Sequence, residues 1–311
     1  LMDDIELLDL AGDEFDLEKV DAGELTPMFF GSAMTNFGVR SFLEKFLELS
    51  PAPQPRKLKD GGVVDPTDED FTAFIFKIQA NMNPAHRDRI SFMRICSGVF
   101  EKGMTVWHVQ GQKPVKLAQP QQFMAQERTT VEKAYPGDII GVFDPGIFTI
   151  GDTLCNEKHP VQFEDFPIFP PEIFAKVQPK DSMKRKQFEK GIIQLAQEGA
   201  IQVFRQKDIG MESFVVGVVG VLQLEVLEYR LLNEYNAKLL MDQLPYSVAR
   251  WVYADNPELI RNIKGLDNGM LVYDKLDRPV VLVSNEWNLN WILERNPGIN
   301  FTQVPSEARA I

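Results

Sequence analysis

From Phe71 to Cys155 apolar and polar positions alternate with a period of two. FTAFIFKIQ, RISFMRICSG, MTVWHVQ, PVKLAQP, GDIIGVF and IFTIGDTL are short, rich in β-branched and aromatic residues, and separated by Gly, Pro, Asn or Asp. Alternation at this spacing, with turn residues between the runs, predicts strands of a small antiparallel barrel or sandwich. Pro136-Gly137-Asp138 and Asp144-Pro145-Gly146 are strong turn sequences.

After PIFPPE the pattern switches between two periods. FAKVQP reads as a strand. Asp181 caps a helix that runs to about Glu198 and is closed by Gly199. IQVFRQ and SFVVGVVG follow as strands, then a helix with Leu224, Leu227, Leu231 and Tyr235 on one stripe, then AKLLMDQ as a strand. The order β-α-β-β-α-β is the split, ferredoxin-like unit. PVVLVSN, EWNLNWILERN and INFTQVP add a strand, a helix and an extended end as a C-terminal extension. No internal repeat is evident.

Residues 1–24 read as one or two acidic amphipathic helices, with Leu7, Leu8, Leu10, Phe15, Leu17 and Val20 on the apolar side. TPMFFGSA, from Thr26, predicts a strand. Asn36 is placed to cap a helix through Leu49 whose Phe42, Phe46 and Leu49 should face one core. Pro51, Pro53 and Pro55 end that helix and make a stiff linker. The chain is therefore multidomain: an α/β remnant (1–56), an antiparallel β-barrel (57–160), and an α+β ferredoxin-like domain with its extension (161–311).

Composition is ordinary for folded domains, and no apolar run approaches the ~20 residues of a membrane helix. The N-terminus is acidic where a signal peptide would be basic, and Leu1 in place of an initiator methionine suggests a partial chain. Cys96 and Cys155 are isolated and lack metal-ligand spacing, which fits a reducing cytoplasm. Of the formal charge of −12, about −9 falls in residues 1–55, about 0 in 56–160 and about −3 in the remainder. The acidity is thus mostly N-terminal, and the rest is free to carry a basic face.

Motifs for chemistry are missing. Gly-Lys-Ser/Thr occurs nowhere, so there is no phosphate loop, and GxGxxG is absent. Gly217-Val-Val-Gly220 reads as a close-packing turn. His86, His108 and His159 belong to no HxxxH or HxE pattern, so no metal ligand is assigned. His108, alternating with apolar residues, is expected to face solvent or to be a satisfied polar group. No GxSxG elbow marks a nucleophile, and no catalytic residue is assigned. Two basic clusters remain. One lies in HRDRISFMR, with Arg87, Arg89 and Arg94; the other is Lys180, Lys184, Arg185, Lys186 and Lys190. Either is a solvated face or a phosphate-contacting surface. The histidine, aspartate and arginines at 86–89 could also suggest a catalytic cluster, but the strand pattern on both sides makes them a barrel connection.

Three ordered features carry a resemblance. TPMFFGSA with NFGVRSFLEKFLELSPAPQPR is similar to the end of a translational GTPase G domain. FKIQANMNPAHRDRISFMRICSGVFEKGM, with Arg94-Ile-Cys-Ser97-Gly98, resembles domain II of these factors. FEKGIIQLAQEGAIQVFR and VVGVVGVLQLEVLEYRLLNEYN resemble the ferredoxin-like domain that follows. Together they resemble the bacterial peptide chain release factor 3 family, the class II termination GTPases, over essentially the whole chain. The resemblance implies a ribosome-dependent GTPase that binds GTP or GDP with Mg²⁺ and promotes dissociation of the codon-reading release factors. The phosphate loop, switches and NKxD motif of that family are absent from these residues. Of its guanine-contacting motif only Ser32 and Ala33 remain, so no nucleotide is expected on this chain alone. The implied partners are small-subunit RNA and protein of the ribosome, the codon-reading factors indirectly, and a G domain, in the cytoplasm and without a membrane. Arg87, Arg89, Arg94, Lys184, Arg185, Lys186 and Lys190 are the candidates for ribosome or domain-interface contact. The corresponding region of elongation factor G or a ribosome-protection factor is the alternative within translation, and a non-enzymatic protein-binding adaptor is the alternative outside it.

Overall fold

The computed structural model describes residues 2–80, 89–117, 120–124, 127–166, 169–206 and 213–304. The chain divides into two units, Leu1–Pro55 and Arg56–Ile311.

The first unit holds α1 (Met2–Ala11), α2 (Leu17–Asp21) and α3 (Val39–Leu49). The Asp16 carboxylate caps α2 by accepting from the amides of Glu18 at 2.9 Å and Lys19 at 3.3 Å. The strand expected at TPMFFGSA does not form. Ser32 makes only an isolated bridge to Phe37, because a strand needs a neighbouring ladder and this unit offers none. Asn36 is not the helix cap either. It takes the left-handed conformation, φ +56, and Gly38 at φ +71 stands at the cap. Phe29, Phe42 and Phe46 cluster, with successive ring centroids 5.2 and 6.0 Å apart. Yet no residue of α3 is buried, and Phe46 is 54% exposed. The expected core for Phe42, Phe46 and Leu49 is missing: three short helices have too little surface to enclose one.

The second unit begins with β1 (Arg56–Lys57) and β2 (Val63–Val64), which pair with each other. There follow β3 (Thr72–Ala80), β4 (Arg89–Ser97), β5 (Phe100–Glu101), β6 (Thr105–His108), β7 (Lys113–Lys116), β8 (Gln121–Met124), β9 (Glu127–Thr130), β10 (Lys133–Ala134), β11 (Ile139–Phe143) and β12 (Thr153–Cys155). Eight of these form one antiparallel sheet in the order β7-β6-β12-β3-β4-β11-β8-β9, with β5 and β10 as a separate pair. Alternation places Ala73, Ile75, Met93, Ile95, Ile140 and Val142 inward, where they form a core with Phe100, Phe148 and Leu154. A bulge between Ile75 and Lys77 curves β3 around that core. IFTIGDTL supplies only the short β12, because Asp152 turns the chain by accepting from the Thr149 amide at 2.8 Å and hydroxyl at 2.7 Å.

Next come β13 (Ile173–Pro179), α4 (Arg185–Gln197), β14 (Gln202–Phe204), β15 (Phe214–Val218), α5 (Leu222–Tyr235) and β16 (Leu239–Leu244). The sheet order β14-β15-β13-β16 is that of the ferredoxin-like unit. Asp181 caps the 3-10 turn that leads into α4, and Gly199 follows the helix at φ +76.

The C-terminal extension is more than a tail. β17 (Val248–Tyr253), α6 (Pro257–Arg261), β18 (Gly269–Tyr273), β19 (Pro279–Val283), α7 (Glu286–Arg295) and β20 (Asn300–Thr302) repeat β-α-β-β-α-β, and the sheet order β18-β19-β17-β20 matches the first unit strand for strand. The two sheets pack face to face through Phe174, Phe204 and Val215 from one and Trp251, Val280 and Leu282 from the other. Helices α4 and α5 cover the far face of the first sheet, and α6 and α7 that of the second. Sheets covered on both sides need apolar residues on both, hence the unbroken FVVGV and PVVLV.

Candidate functional site at the joint between barrel and helical layer

The C-terminal end of α4 meets the open end of the barrel, and Arg89 is the residue that ties them. At the start of β4 it is 8% exposed. Its Nε donates to Asp144 Oδ2 at 2.7 Å, Nη2 donates to the Phe148 carbonyl at 2.7 Å, and Nη1 donates to Gln197 Oε1. Asp144 is fixed in turn. Ser91 Oγ donates to its Oδ2 at 2.8 Å, while the amides of Gly146 and Ile147 donate to its Oδ1 at 2.7 and 2.8 Å. The turn recognised as Asp144-Pro145-Gly146 thus carries the anion that holds Arg89 in place.

Glu198, one residue beyond α4, extends the joint. Its Oε1 accepts from the Ala80 amide at 3.4 Å and its Oε2 accepts from Arg230 Nη1 of α5 at 2.8 Å. Arg230 also donates through Nε to Glu234 at 2.6 Å. Burial works against the Arg230 charge, but the Glu234 and Glu198 carboxylates outweigh it and raise its pKa. The network leaves β3 and β4 of the barrel bound to α4, which is bound to α5.

The other sequence-selected residues lie apart from this joint. Arg87 lies outside the described residues. Arg94 is exposed on the outer face of β4, opposite Phe74 and Ile139. Beside it, Arg56 lies over the Phe74 ring at 3.9 Å. Burial lowers the Arg56 pKa, and the neighbouring Arg94 charge adds to that. Between them the Cys96 thiol is pushed up to about 11 by burial, against the pull of Arg56 and Arg94. On α4, Phe188, Ile192 and Leu195 face the core, leaving Lys186 and Lys190 exposed one turn apart. Arg185 is drawn to Glu189 at 2.8 Å, and Lys184 is half-buried. Basic residues at the start of a helix oppose its macrodipole, so Lys184, Arg185 and Lys186 are not placed there for helix stability.

Ser32 and Ala33 lie in the turn that leads to α3. The Ser32 amide is committed to the Phe37 carbonyl at 2.9 Å, and GSAMTNFG contains no Lys, Arg, Asp or Glu. His108 is buried, not solvent-facing. Its Nε2 pairs with Asp152 Oδ2 at 2.7 Å, while its Nδ1 has no hydrogen-bond partner among the described residues. No group of three or more His, Cys, Asp or Glu placed to hold a metal occurs among the described residues. Gly217 is a close-packing glycine: a Cβ there would meet Pro171 at 2.8 Å and Phe204 at 3.0 Å.

Sequence reading missed Asp144, Gln197, Glu198 and Arg230 as partners. The available signal was Glu198 and Arg230 within the matched helical phrases. Gln223, within VVGVVGVLQLEVLEYRLLNEYN, accepts from the amides of Val219 and Gly220 at 2.9 and 3.1 Å and so closes the entry to α5.

Comparison with known proteins follows the same division. Residues 70–157 match the model of elongation factor G domain 2, and residues 163–293 match that of the class II release factor RF3 C-terminal domain. Peptide chain release factor 3 of Symbiobacterium thermophilum is 56% identical over 309 residues, 99% of this chain and 58% of the relative. That of Enterococcus faecalis is 50% identical over 98% of this chain and 57% of the relative, and that of Limosilactobacillus reuteri 46% over 97% and 56%. The chain therefore spans a little over half the length of these relatives. A crystal structure of a Thermus thermophilus protein shares the fold, with a TM-score of 0.57 and 21% identity, covering 77% of this chain and 36% of that one. These identities set aside the elongation-factor and adaptor alternatives: the chain belongs to the peptide chain release factor 3 family, of which it represents a C-terminal portion.

Proposed function

We propose that residues 56–311 are the ribosome-docking body of a translation termination factor, acting in the cytoplasm. Nucleotide chemistry, with GTP or GDP and Mg²⁺, belongs to a G domain that this body accompanies. In that setting it turns as a single lever and promotes departure of the codon-reading release factors after the peptide has left. The observation that carries this reading is the Arg89 joint. A body that transmits a change of orientation has to be stiff, and Arg89, Asp144, Gln197, Glu198 and Arg230 form a continuous bonded path from barrel to helices. Lys186, Lys190, Lys184 and Arg94 supply the cations for small-subunit RNA, with Arg185 and Arg89 serving more to hold the structure.

The test is competition. An excess of the 311-residue chain, from which no GTP turnover of its own is expected, is added to a ribosome-dependent GTPase assay of a full-length relative. Turnover should fall as the chain occupies the ribosomal site. Unchanged turnover at saturating excess, or hydrolysis by the chain alone, overturns the reading.

A further inference from the structure

On the outer surface of α7, Trp287 and Trp291 stack with their ring centroids 5.9 Å apart and planes 16° from parallel. The Arg295 guanidinium lies over Trp291, 3.2 Å from the ring centroid. The ladder Trp287–Trp291–Arg295 follows the i, i+4, i+8 stripe of one helix, while Leu289 and Ile292 face the core. Its outer end is uncovered, since Trp287 is 69% exposed. Two large flat rings left stacked in water are costly in apolar area, and such a surface marks a binding site more often than a scattered apolar residue does.

The surroundings narrow what it binds. A cleft of about 290 Å³ runs beside the rings, lined by Gly265, Asp267, Asn268 and Val283 with the two tryptophans. Gly265, at φ +81, lets the turn lie flush on Trp291; a Cβ there would come within 3.2 Å of the indole. The side chains of Asp267 and Asn268 are exposed and make no hydrogen bond among those of the described residues. Lys264, adjoining the cleft, is held in place through its backbone by Asn296, at 3.0 Å from its amide and 2.9 Å to its carbonyl. Neither Lys264 nor Arg295 is in an ion pair among the described residues. Three kinds of group therefore converge: an open stacking face, a carboxylate acceptor within the cleft, and two unpaired cations at its end.

We propose that this cleft binds an unpaired purine base of single-stranded RNA. The base stacks on Trp287, its exocyclic amino group donates to Asp267, and Lys264 and Arg295 face the flanking phosphates. A proline-rich peptide would also use the aromatic groove, but it gives no purpose to the cations and the acceptor together. The inference is independent of the docking proposal, since it concerns free RNA. Binding of oligonucleotide without competition for the ribosome would sink that proposal and leave this one standing.

The test uses the full chain and a short oligoadenylate at low salt. Of the four tryptophans, Trp251 is buried and Trp107 is half-buried on β6, outside the cleft lining, so Trp287 and Trp291 supply the most accessible part of the tryptophan fluorescence. Oligoadenylate should quench it, and Trp287→Ala should weaken binding roughly 5- to 150-fold. Trp287→Phe, which keeps a ring, should retain most of the affinity. Lys264→Gln should lower the slope of log affinity against log salt by about 0.7, the loss of one single-strand phosphate contact. Since Trp287 is exposed, both of its variants should melt as the parent does. No quenching by oligoadenylate, or equal affinity in Trp287→Ala, overturns the proposal. Quenching by an oligoproline peptide in the absence of RNA binding overturns it in favour of a protein partner.

Discussion

Arg89 and Asp144, 55 residues apart, form a buried ion pair at 2.7 Å, with side chains 9% and 0% exposed. The two sides are not equally dependent on each other. Without Arg89, Asp144 would keep Ser91 and the turn amides. Without Asp144, Arg89 would be left as a buried charge on neutral acceptors. Asp144→Ala should therefore cost about 3–5 kcal/mol, and Arg89→Met about 1–3 kcal/mol. Urea denaturation of the two variants checks both the magnitudes and their order.

Gly98 ends the Arg94-Ile-Cys-Ser97-Gly98 motif and has a conformational reason for being there. Its φ is +66, and a Cβ would lie 2.7 Å from the Phe71 backbone. Ser97, just before it, is buried and bonded to Thr72 Oγ1 at 2.6 Å and to the Asp70 carbonyl at 2.7 Å, so the turn cannot shift. Gly98→Ala should cost more than the ~1–2 kcal/mol of left-handed strain alone. Gly146, at φ +98 with nothing within 4 Å of its Cβ, is the control. Thermal melts should rank Gly98→Ala well below Gly146→Ala.

Alkaline pH should weaken the second unit through Cys96. Burial raises its folded pKa from 9.0 to about 11. A raised folded pKa means that the unfolded thiol ionises first. Its contribution is complete below pH 9 and is lost as pH climbs towards about 11. Across that interval the parent should lose stability faster than Cys96→Ala, as read by urea midpoints at each pH. The same protonated, half-buried thiol should react slowly with a disulfide reagent at neutral pH.

The periodic parts of the fold were legible in the sequence. Barrel strands alternate with period two, and Leu224, Leu227, Leu231 and Tyr235 are all buried as their stripe requires. The second βαββαβ unit was hidden because its strands are covered on both faces and its first helix, α6, has only five residues. TPMFFGSA has strand composition, but no partner strand within its unit. Composition is local and a ladder is not. Arg89 exposes the same limit at the site. A charge in a polar loop looks like a solvent or phosphate contact until its partners, at positions 144, 148 and 197, are brought to it by the fold. Lys186 and Lys190 needed no such partner, and their exposure followed from helical spacing alone.

Co-sedimentation of the chain with 70S particles tests the docking of this body most directly. The parent should pellet at low and at moderate salt. Replacing Lys184, Lys186 and Lys190 with glutamine should weaken pelleting and flatten its salt dependence by about 0.7–0.9 per lost phosphate contact. Absence of the parent from the pellet at both salts would contradict the account.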